Sequence, residues 1–301
     1  MVTFYLIRHA ESTDNVKGIW AGSRDAYLTQ HAEALASFLT KIPLAAIYSS
    51  DLKRAALTAA EIKVKQTNVD VKHEQHTLLR EQEFGSGEGK KFSKPIQGLT
   101  IAQHYAKGLF PAIYTRHQKF PGGECLDDVA ERARSVIDDI FMRHLNEEAE
   151  DGISKTVVVV SHGIFLGELV NEILKRDPLA SSGHETVKDS RGMQNTAWTK
   201  IEVKLTAAHI NLLPTSSNSP SMAKVLPTLL SFLTKFETSN INRCPHLSRV
   251  KRQGGGLGSL PYDPDQKDIR NFFAGGDNGK QTTKKKAISK IAQARPKPYA
   301  R

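Results

Sequence analysis

The hydrophobic positions of the first two hundred residues alternate between two periods. Short runs of β-branched and aromatic residues are typical of strands, and segments with apolar residues three and four positions apart are typical of helices. Strands are predicted at Val2–Ile7, Ala46–Tyr48, Val69–Lys72, Thr156–Val160 and Asn195–Val203. Helices are predicted at Asp51–Val64, with Asp51 as its N-cap, at Gly123–Glu148 and at Gly163–Leu174. This order predicts an α/β fold, a three-layer sandwich in which helices cover both faces of a mostly parallel sheet.

The composition changes after Leu213. Residues 214–221 consist of Pro, Thr, Ser and Asn, which have little to bury and are typical of a linker. We therefore predict a compact domain over residues 1–213 and a linker over residues 214–262, in which Met222–Phe236 is a candidate short helix. Residues 263–301 are predicted to form a disordered basic tail.

The positive charge of the chain is concentrated near its C-terminus. Against 32 acidic residues the chain has 42 Lys and Arg, a formal net charge of +10. Residues 240–301 contain 14 of these basic residues and 4 of the acidic ones, so they carry the whole excess. A basic surface over the folded body, as in a groove-binding nucleic-acid domain, is therefore not indicated. Weak contact between the basic tail and nucleic acid stays open.

The cysteines and the apolar runs indicate the cellular compartment of the protein. Cys125 and Cys244 have no paired spacing, which argues against a disulfide framework and a thiolate zinc site and is typical of a reducing environment. The first apolar run has no basic segment before it and stops at Arg8, which favours a strand over a signal peptide. No apolar run approaches the length of a membrane span. We expect a cytoplasmic protein with no membrane partner, and a nuclear location is the alternative.

Charged residues follow three of the predicted strands. Arg8 and His9 follow the first strand, Arg54 lies in the first helical turn after the second, and His162 follows the fourth in the segment Ser161–Gly163. Each signal alone is weak, because an Arg-His pair is usually a surface dipeptide and Ser-His-Gly is usually an N-cap turn. The carboxyl ends of parallel strands meet at one edge of a sheet, however, so we expect these four side chains to converge. Such a cluster beside a helix N-terminus predicts a site for a phosphate-like dianion.

The chain resembles the histidine phosphatase superfamily, in the branch that includes cofactor-dependent phosphoglycerate mutases and phosphoglycerate-mutase-like phosphatases. The resemblance covers about residues 1–210. It is carried by Arg8–Ser12 with Asn15, Ser49–Ala55 with Thr58 and Ala59, Leu79–Glu81 with Phe84, Gly85, Glu88 and Gly89, Pro121–Glu124, and Ser161–Gly163. Two positions depart from the family pattern, Ala10 for a glycine and Cys125 for a serine. Ala10 is compatible with the pattern if its φ is negative.

The resemblance implies a role for each matched residue. His9 is implied as the nucleophile, which forms a phosphohistidine, and Glu81 as the general acid and then the base that activates water. The residues implied to bind the phosphoryl group are Arg8, Ser12, Asn15, Arg54 and His162. Because guanidinium and imidazolium groups supply the positive charge, we expect neither a metal ion nor another cofactor.

Phosphatase and mutase activity would be separated by the insertion at Lys90–Phe120. Its basic residues are Lys90, Lys91, Lys94, Lys107, Arg116 and Lys119. They would favour a polyanionic or multiply phosphorylated substrate, although a charge run is more often a solvated face. The insertion does not resemble the cap expected of a mutase. We therefore favour a phosphatase acting on a phosphorylated small molecule or phosphoprotein, with phosphoglycerate-mutase-type phosphoryl transfer as the alternative.

The tail contains a motif of a different class. Residues 266–273 resemble the binding motif for a sliding clamp (PCNA), with Gln266, Ile269, Phe272 and Phe273 at the defining positions. A helical turn would place the three apolar side chains on one side as a hydrophobic plug. The motif leaves open a nuclear adaptor tethered to the clamp, and the competing interpretation is a turn that docks two phenylalanines on its own domain.

A further motif gives no support for a metal site. His73, Glu74, Gln75 and His76 stand one residue short of the H-E-x-x-H spacing of zinc proteases. We interpret them as a solvated strand edge.

Overall fold

The computed structural model describes residues 1–12, 19–22, 31–113, 115–177, 192–205, 232–235 and 240–249. The chain divides into two units, Met1–Tyr262 and Asp263–Arg301, and every described residue belongs to the first. The clamp-motif residues 266–273 therefore lie outside the described residues, and clamp binding stays a prediction.

The described part of the chain contains a six-stranded sheet. Its strands are β1 (Val2–Arg8), β2 (Ala46–Ser50), β3 (Lys72–His76), β4 (Lys155–Ser161), β5 (Trp198–Leu205) and β6 (Phe232–Lys235). The spatial order is β3-β2-β4-β1-β5-β6. The first four strands in this order are parallel, β5 runs antiparallel to β1, and β6 runs antiparallel to β5. The predicted mostly parallel sheet is confirmed.

Helices lie on both faces of this sheet. They are α1 (His31–Leu39), α2 (Lys53–Lys65), α3 (Ile101–Ala106), α4 (Leu126–Val136), α5 (Met142–Asp151) and α6 (Gly163–Lys175), and a π-helical turn at Ile137–Phe141 joins α4 to α5. Helices α1 and α2 share one core with the sheet, and α4, α5 and α6 share the other. Among the described residues, we find no helix long and apolar enough to cross a bilayer.

Strand β1 shows why the central strands are apolar along their whole length. Its side chains alternate between the two cores, with Phe4 and Leu6 in one and Tyr5 and Ile7 in the other. Because both faces are covered, both sets must be apolar, which removes the alternation expected of a half-exposed strand. Phe4 stacks on Phe141 of the π-helical turn, with 3.9 Å between ring centroids.

Several predicted boundaries move in the structure. Helix α2 begins at Lys53, and Leu52, not Asp51, occupies its N-cap position. The Asp51 carboxylate instead accepts two hydrogen bonds from Arg80, a charge-assisted pairing that competes with capping. The strand predicted at Val69–Lys72 is observed as β3 at Lys72–His76, whose residues pair with Ala46–Ser50 of β2, whereas Val69 is 82% exposed. His73–His76 therefore lie on an edge strand of the sheet, as predicted.

The predicted linker contributes to the sheet. Residues Phe232–Lys235, placed within a candidate helix by the sequence, form the strand β6 on the edge of β5. Residues 240–249 continue the same body, where Arg243 exchanges backbone hydrogen bonds with Trp198 at 2.8 and 2.9 Å. An open strand edge favours such additions, because its N–H and C=O groups need partners. The folded body therefore extends beyond residue 213, which corrects the predicted boundary.

Candidate active site

The end of β1 places His9 beside the end of β4. Arg8 pairs with Ser161 in the parallel register, and the His9 N–H donates to the Ser161 carbonyl at 2.9 Å. The next residue of each strand is therefore a histidine, His9 or His162, and the two rings lie 5.0 Å apart between centroids. The structure therefore brings the two predicted histidines together at this edge of the sheet.

The hydrogen bond of the His9 ring defines its reactive nitrogen. Nδ1 lies 2.6 Å from the Ala10 carbonyl oxygen, and since a carbonyl only accepts, Nδ1 carries the proton and Nε2 carries the lone pair. The side chain is almost fully buried. Burial, followed by the charges of Arg54 and Arg8, holds the pKa of His9 well below its usual range. His9 is therefore a neutral imidazole with an available nucleophilic nitrogen.

The ring of His162 carries its proton on the other nitrogen. Arg54 Nε donates to His162 Nδ1 at 3.2 Å, so in the neutral ring Nε2 carries the proton. Burial, with smaller contributions from Arg54, His9 and Arg8, lowers the pKa of His162 well below its usual range. Its Nε2 is buried and has no hydrogen-bond partner among the described residues. A buried donor of this kind is an open position for an acceptor such as a phosphoryl oxygen.

Two guanidinium groups flank the histidines. Arg54 is buried and donates through Nη2 to the Gly22 carbonyl at 2.6 Å. Arg8 donates through Nη1 to the Met193 carbonyl, and its buried Nε has no partner within the described residues. Burial lowers the pKa of Arg8, and the carboxylates of Glu81 and Glu11 oppose that change. The buried Arg54 and the half-buried Arg8 share one cavity with a histidine and form a centre suited to a dianion.

Glu81 lies at the N-terminus of α6, beside the same cavity. Its Oε1 accepts from the N–H groups of Gln82 and Phe165 at 3.0 and 3.1 Å, and its Oε2 accepts from Ile164 at 3.3 Å. Both Glu81 and His9 line the cavity. The structure thus brings the predicted acid to the predicted nucleophile.

Three predicted substrate ligands are not among the described residues that line the cavity, namely His162, Ser12 and Asn15. His162 is fully buried, and its ring lies 5.0 Å from that of His9, which does line the cavity. Ser12 is fully buried and, within the part of the chain that the structure describes, it does not belong to the cavity lining. Asn15 lies outside the described residues. The contacts of all three with a phosphoryl group stay predictions.

Ala10 fits the position where the family pattern has glycine. Its φ is not among the positive values of the described residues, so the side chain causes no backbone strain there. Its N–H donates to Thr58 Oγ1 at 3.1 Å, and the Thr58 hydroxyl in turn donates to the Arg54 carbonyl at 2.7 Å. Thr58 therefore connects the segment His9–Ala10 to α2, the helix that carries Arg54.

The loop containing Asn195 and Thr196 binds the backbone of Arg8 and His9, a role that the sequence does not predict. Asn195 Nδ2 donates to the His9 carbonyl at 3.1 Å, and the Thr196 N–H donates to the Arg8 carbonyl at 3.1 Å. Thr196 has φ +60°, a costly conformation for a β-branched residue. Its hydroxyl lies 3.0 Å from Nε2 of the buried His246. The strand predicted at Asn195–Val203 includes both residues, but β5 begins at Trp198, so Asn195 and Thr196 lie in the loop before it. The role of this loop depends on contacts with residues 240–249, which no local pattern marks.

Arg132 on α4 was also missed. It forms a two-point ion pair with Glu124 and donates to the backbone carbonyls of Leu78, Arg80 and Glu81. The motif containing Glu124 was recognised, but its partner eight residues later carries no signal of its own. The pair supports the loop that presents Glu81.

The cavity has a volume of about 470 Å³. At one end lie Arg8, His9, Arg54 and Glu81, and beyond them the wall is largely apolar. The six basic residues of the insertion do not line it within the described chain. The predicted role of these residues in attracting a polyanion therefore has no support in the geometry, since five are exposed lysines and Arg116 pairs with Glu168 and Asp127.

Residues 4–213 match the histidine phosphatase superfamily, branch 1. The chain belongs to this family. This confirms the resemblance drawn from the strand-end motifs. The histidine pair, the two arginines and Glu81 all lie within the matched residues.

Several relatives of this chain carry phosphatase names, and one carries a phosphoglycerate mutase name. The chain is 38% identical over 180 residues to "Probable phosphatase C1620.13" of Schizosaccharomyces pombe, covering 58% of this chain but only 57% of that protein's length. It is 30% identical over 203 residues to the glucosyl-3-phosphoglycerate phosphatase of Mycobacterium tuberculosis, covering 65% of this chain and 83% of that protein. The solved structure "Mycobacterial hydrolase 1" matches with a TM-score of 0.51 at 26% identity, covering 66% of this chain and 90% of that one.

Proposed function

We propose that this protein is a phosphatase that hydrolyses a phosphomonoester through a phosphohistidine at His9. The observation that carries the proposal is that the two histidine rings hold their protons on opposite nitrogens. His9 presents a lone pair at Nε2, and His162 presents an unpartnered N–H at its own Nε2. One ring can attack phosphorus while the other donates to a phosphoryl oxygen.

In the first step, the lone pair of His9 Nε2 forms a bond to phosphorus and the ester P–O bond breaks. The bonding pair stays on the leaving oxygen, which takes the proton of the Glu81 carboxyl group and departs as an alcohol. Arg8, Arg54 and the His162 Nε2–H stabilise the charge on the equatorial oxygens. Because these groups are held by the folded protein, we expect little reorganisation during the reaction.

In the second step, water attacks the phosphohistidine. Glu81, now a carboxylate, takes a proton from the water as the new P–O bond forms. The P–N bond breaks, its electron pair returns to Nε2, and inorganic phosphate leaves. Glu81 ends protonated and His9 ends neutral, which restores the starting state.

A phosphatase is favoured over a mutase by the placement of the basic residues of the insertion. A mutase must hold a second phosphate and keep water from the phosphohistidine. The insertion lysines of this chain are exposed, and within the described residues they contribute no lining to the cavity. The clamp-tethered adaptor suggested by residues 266–273 is a separate proposal that is compatible with catalysis.

The test is detection of the covalent intermediate. The full chain is mixed with ³²P-labelled phosphomonoester, quenched in base and separated, and an acid-labile phosphoryl adduct is expected. His9→Ala should abolish the adduct and lower turnover by at least about 10³-fold. His117→Ala is the matched control, because the His117 side chain is 89% exposed. Full turnover by His9→Ala would reject the proposal.

A further inference from the structure

The cavity is much larger than a phosphoryl group needs. Its volume of about 470 Å³ lies in the range of pockets that hold a small organic molecule. The phosphoryl site occupies the end near His9, so the rest of the volume faces the leaving group of the substrate. The chemistry of this remaining wall therefore selects among phosphomonoesters.

The apolar wall includes a cluster of four aromatic side chains beside aliphatic ones. Trp20 packs against Phe84, Phe92 and Phe120 with ring centroids 4.5, 5.5 and 5.6 Å apart, and all four residues line the cavity. The indole N–H of Trp20 already donates to the Phe110 carbonyl at 3.0 Å. What Trp20 offers to a ligand is therefore carbon surface.

The charged group on this wall is neutralised. Glu168 lines the cavity and its side chain is almost fully buried. Its two carboxylate oxygens accept from Arg116 Nη1 and Nη2 at 3.3 and 2.9 Å, and Arg116 Nε is bound to Asp127 at 2.7 Å. A second phosphate placed here would meet a buried carboxylate and a guanidinium that is already paired. The wall thus gives a second anion little stabilisation.

We infer that the natural substrate is a monophosphate ester with an apolar, preferably aromatic, organic group, and not a polyol phosphate or a bisphosphate. This inference rests on the proposed function, since it treats the cavity as the site of the leaving group. Transfer of an apolar group from water to the cavity wall supplies the binding energy. A hydroxyl-rich group is disfavoured in the same place, because it would lose its hydrogen bonds to water.

The experiment compares two esters whose leaving groups are both primary alcohols, so that the apolar character of the organic group is the main difference. The kcat/KM of the full chain is measured for 3-phenylpropyl phosphate and for glycerol 1-phosphate. We expect a preference of at least about 10-fold for the phenylpropyl ester. Hydrolysis of both esters with equal kcat/KM would overturn the inference and leave the proposed phosphatase intact.

Binding is measured separately from turnover. Calorimetric titration with 3-phenylpropylphosphonate and 2,3-dihydroxypropylphosphonate, which cannot be hydrolysed, should show the same preference. Equal affinity for the two phosphonates would overturn the inference whatever the turnover. Tighter binding of the apolar phosphonate, without hydrolysis of either ester, would reject the proposed phosphatase while supporting the pocket assignment.

A pair of substitutions locates the preference. Phe92 lines the cavity and is 48% exposed, so Phe92→Ala leaves the folded core largely unaffected. Ile96 lies on the same insertion and is 47% exposed, but it does not belong to the lining within the described chain. We expect Phe92→Ala to reduce the preference about fivefold and Ile96→Ala to leave it unchanged. Equal effects of the two substitutions would contradict the assignment.

Discussion

Substitution of Arg132 tests whether catalysis depends on the support of the Glu81 loop. Arg132 uses all five of its N–H groups, two on Glu124 at 2.7 and 2.8 Å and three on the carbonyls of residues 78, 80 and 81 at 2.9, 2.9 and 3.2 Å. Its guanidinium also lies 5.2 Å from the centroid of the Phe165 ring. Arg132 touches no reacting atom in the proposed mechanism, so it acts as a positioning residue.

The change Arg132→Lys keeps the charge but removes the planar fork. A lysine ammonium has three donors at one point and cannot reach both the carboxylate and three separate carbonyls. Loss of at least two hydrogen bonds in this half-buried environment should lower the free energy of unfolding by about 2–3 kcal/mol. A displacement of Glu81 by about 1 Å should lower the rate of a step that needs it by about 10²-fold.

The assay compares kcat/KM for two substrates whose leaving groups differ in their need for a proton. An alkyl phosphate needs a proton from Glu81 as its P–O bond breaks, whereas 4-nitrophenyl phosphate releases a stable anion that needs none. Because kcat/KM reports only steps up to formation of the phosphohistidine, Arg132→Lys should lower it about 10²-fold for the alkyl ester and only slightly for the nitrophenyl ester. Glu81→Gln should show the same dependence on the leaving group.

Arg134→Lys provides the matched control on the same helix. The Arg134 side chain is 40% exposed and pairs with Glu131 and Glu172, away from the Glu81 loop. Its substitution should leave the ratio of the two kcat/KM values unchanged. If Arg132→Lys lowers both kcat/KM values equally after correction for the folded fraction, the residue supports only the fold and the reasoning is refuted.

Two further predictions concern stability. Burial lowers the pKa values of His9 and His162. Below the unfolded pKa of about 6.5, the unfolded chain therefore binds protons that the folded chain does not. As the pH falls, the free energy of unfolding should decrease by up to about 1.4 kcal/mol per pH unit for each histidine. Urea titrations between pH 7 and 5 measure this slope, which His162→Gln should reduce, and an unchanged slope in that variant would contradict the assignment. A chain ending at residue 249 should keep the kcat/KM of the full protein. A chain ending at residue 213 should lose thermal stability and activity, because it lacks β6 and His246. Equal melting temperatures of the two chains would show that these residues do not support the segment at His9.

The strand-end histidines and arginines could be predicted because their signals are local. A buried parallel strand is marked by its continuous apolar run, and the residue that follows it in the chain also follows it in space. Arg8, His9 and His162 were therefore identified from sequence order alone. The helix starts were less certain, since Asp51 could either cap α2 or pair with Arg80, and that choice depends on a residue 29 positions away.

What the sequence by itself determined is the α/β order of elements, the sheet edge at which the charged residues meet and the family to which the chain belongs. What only the tertiary structure decided is which nitrogen of each histidine carries a proton, which side chains form the cavity wall, and that residues 232–235 and 240–249 complete the folded body. The reason is physical: periodicity and strand order record interactions between near neighbours, whereas tautomers, cavity walls and edge pairing depend on groups that are brought together only when distant segments pack.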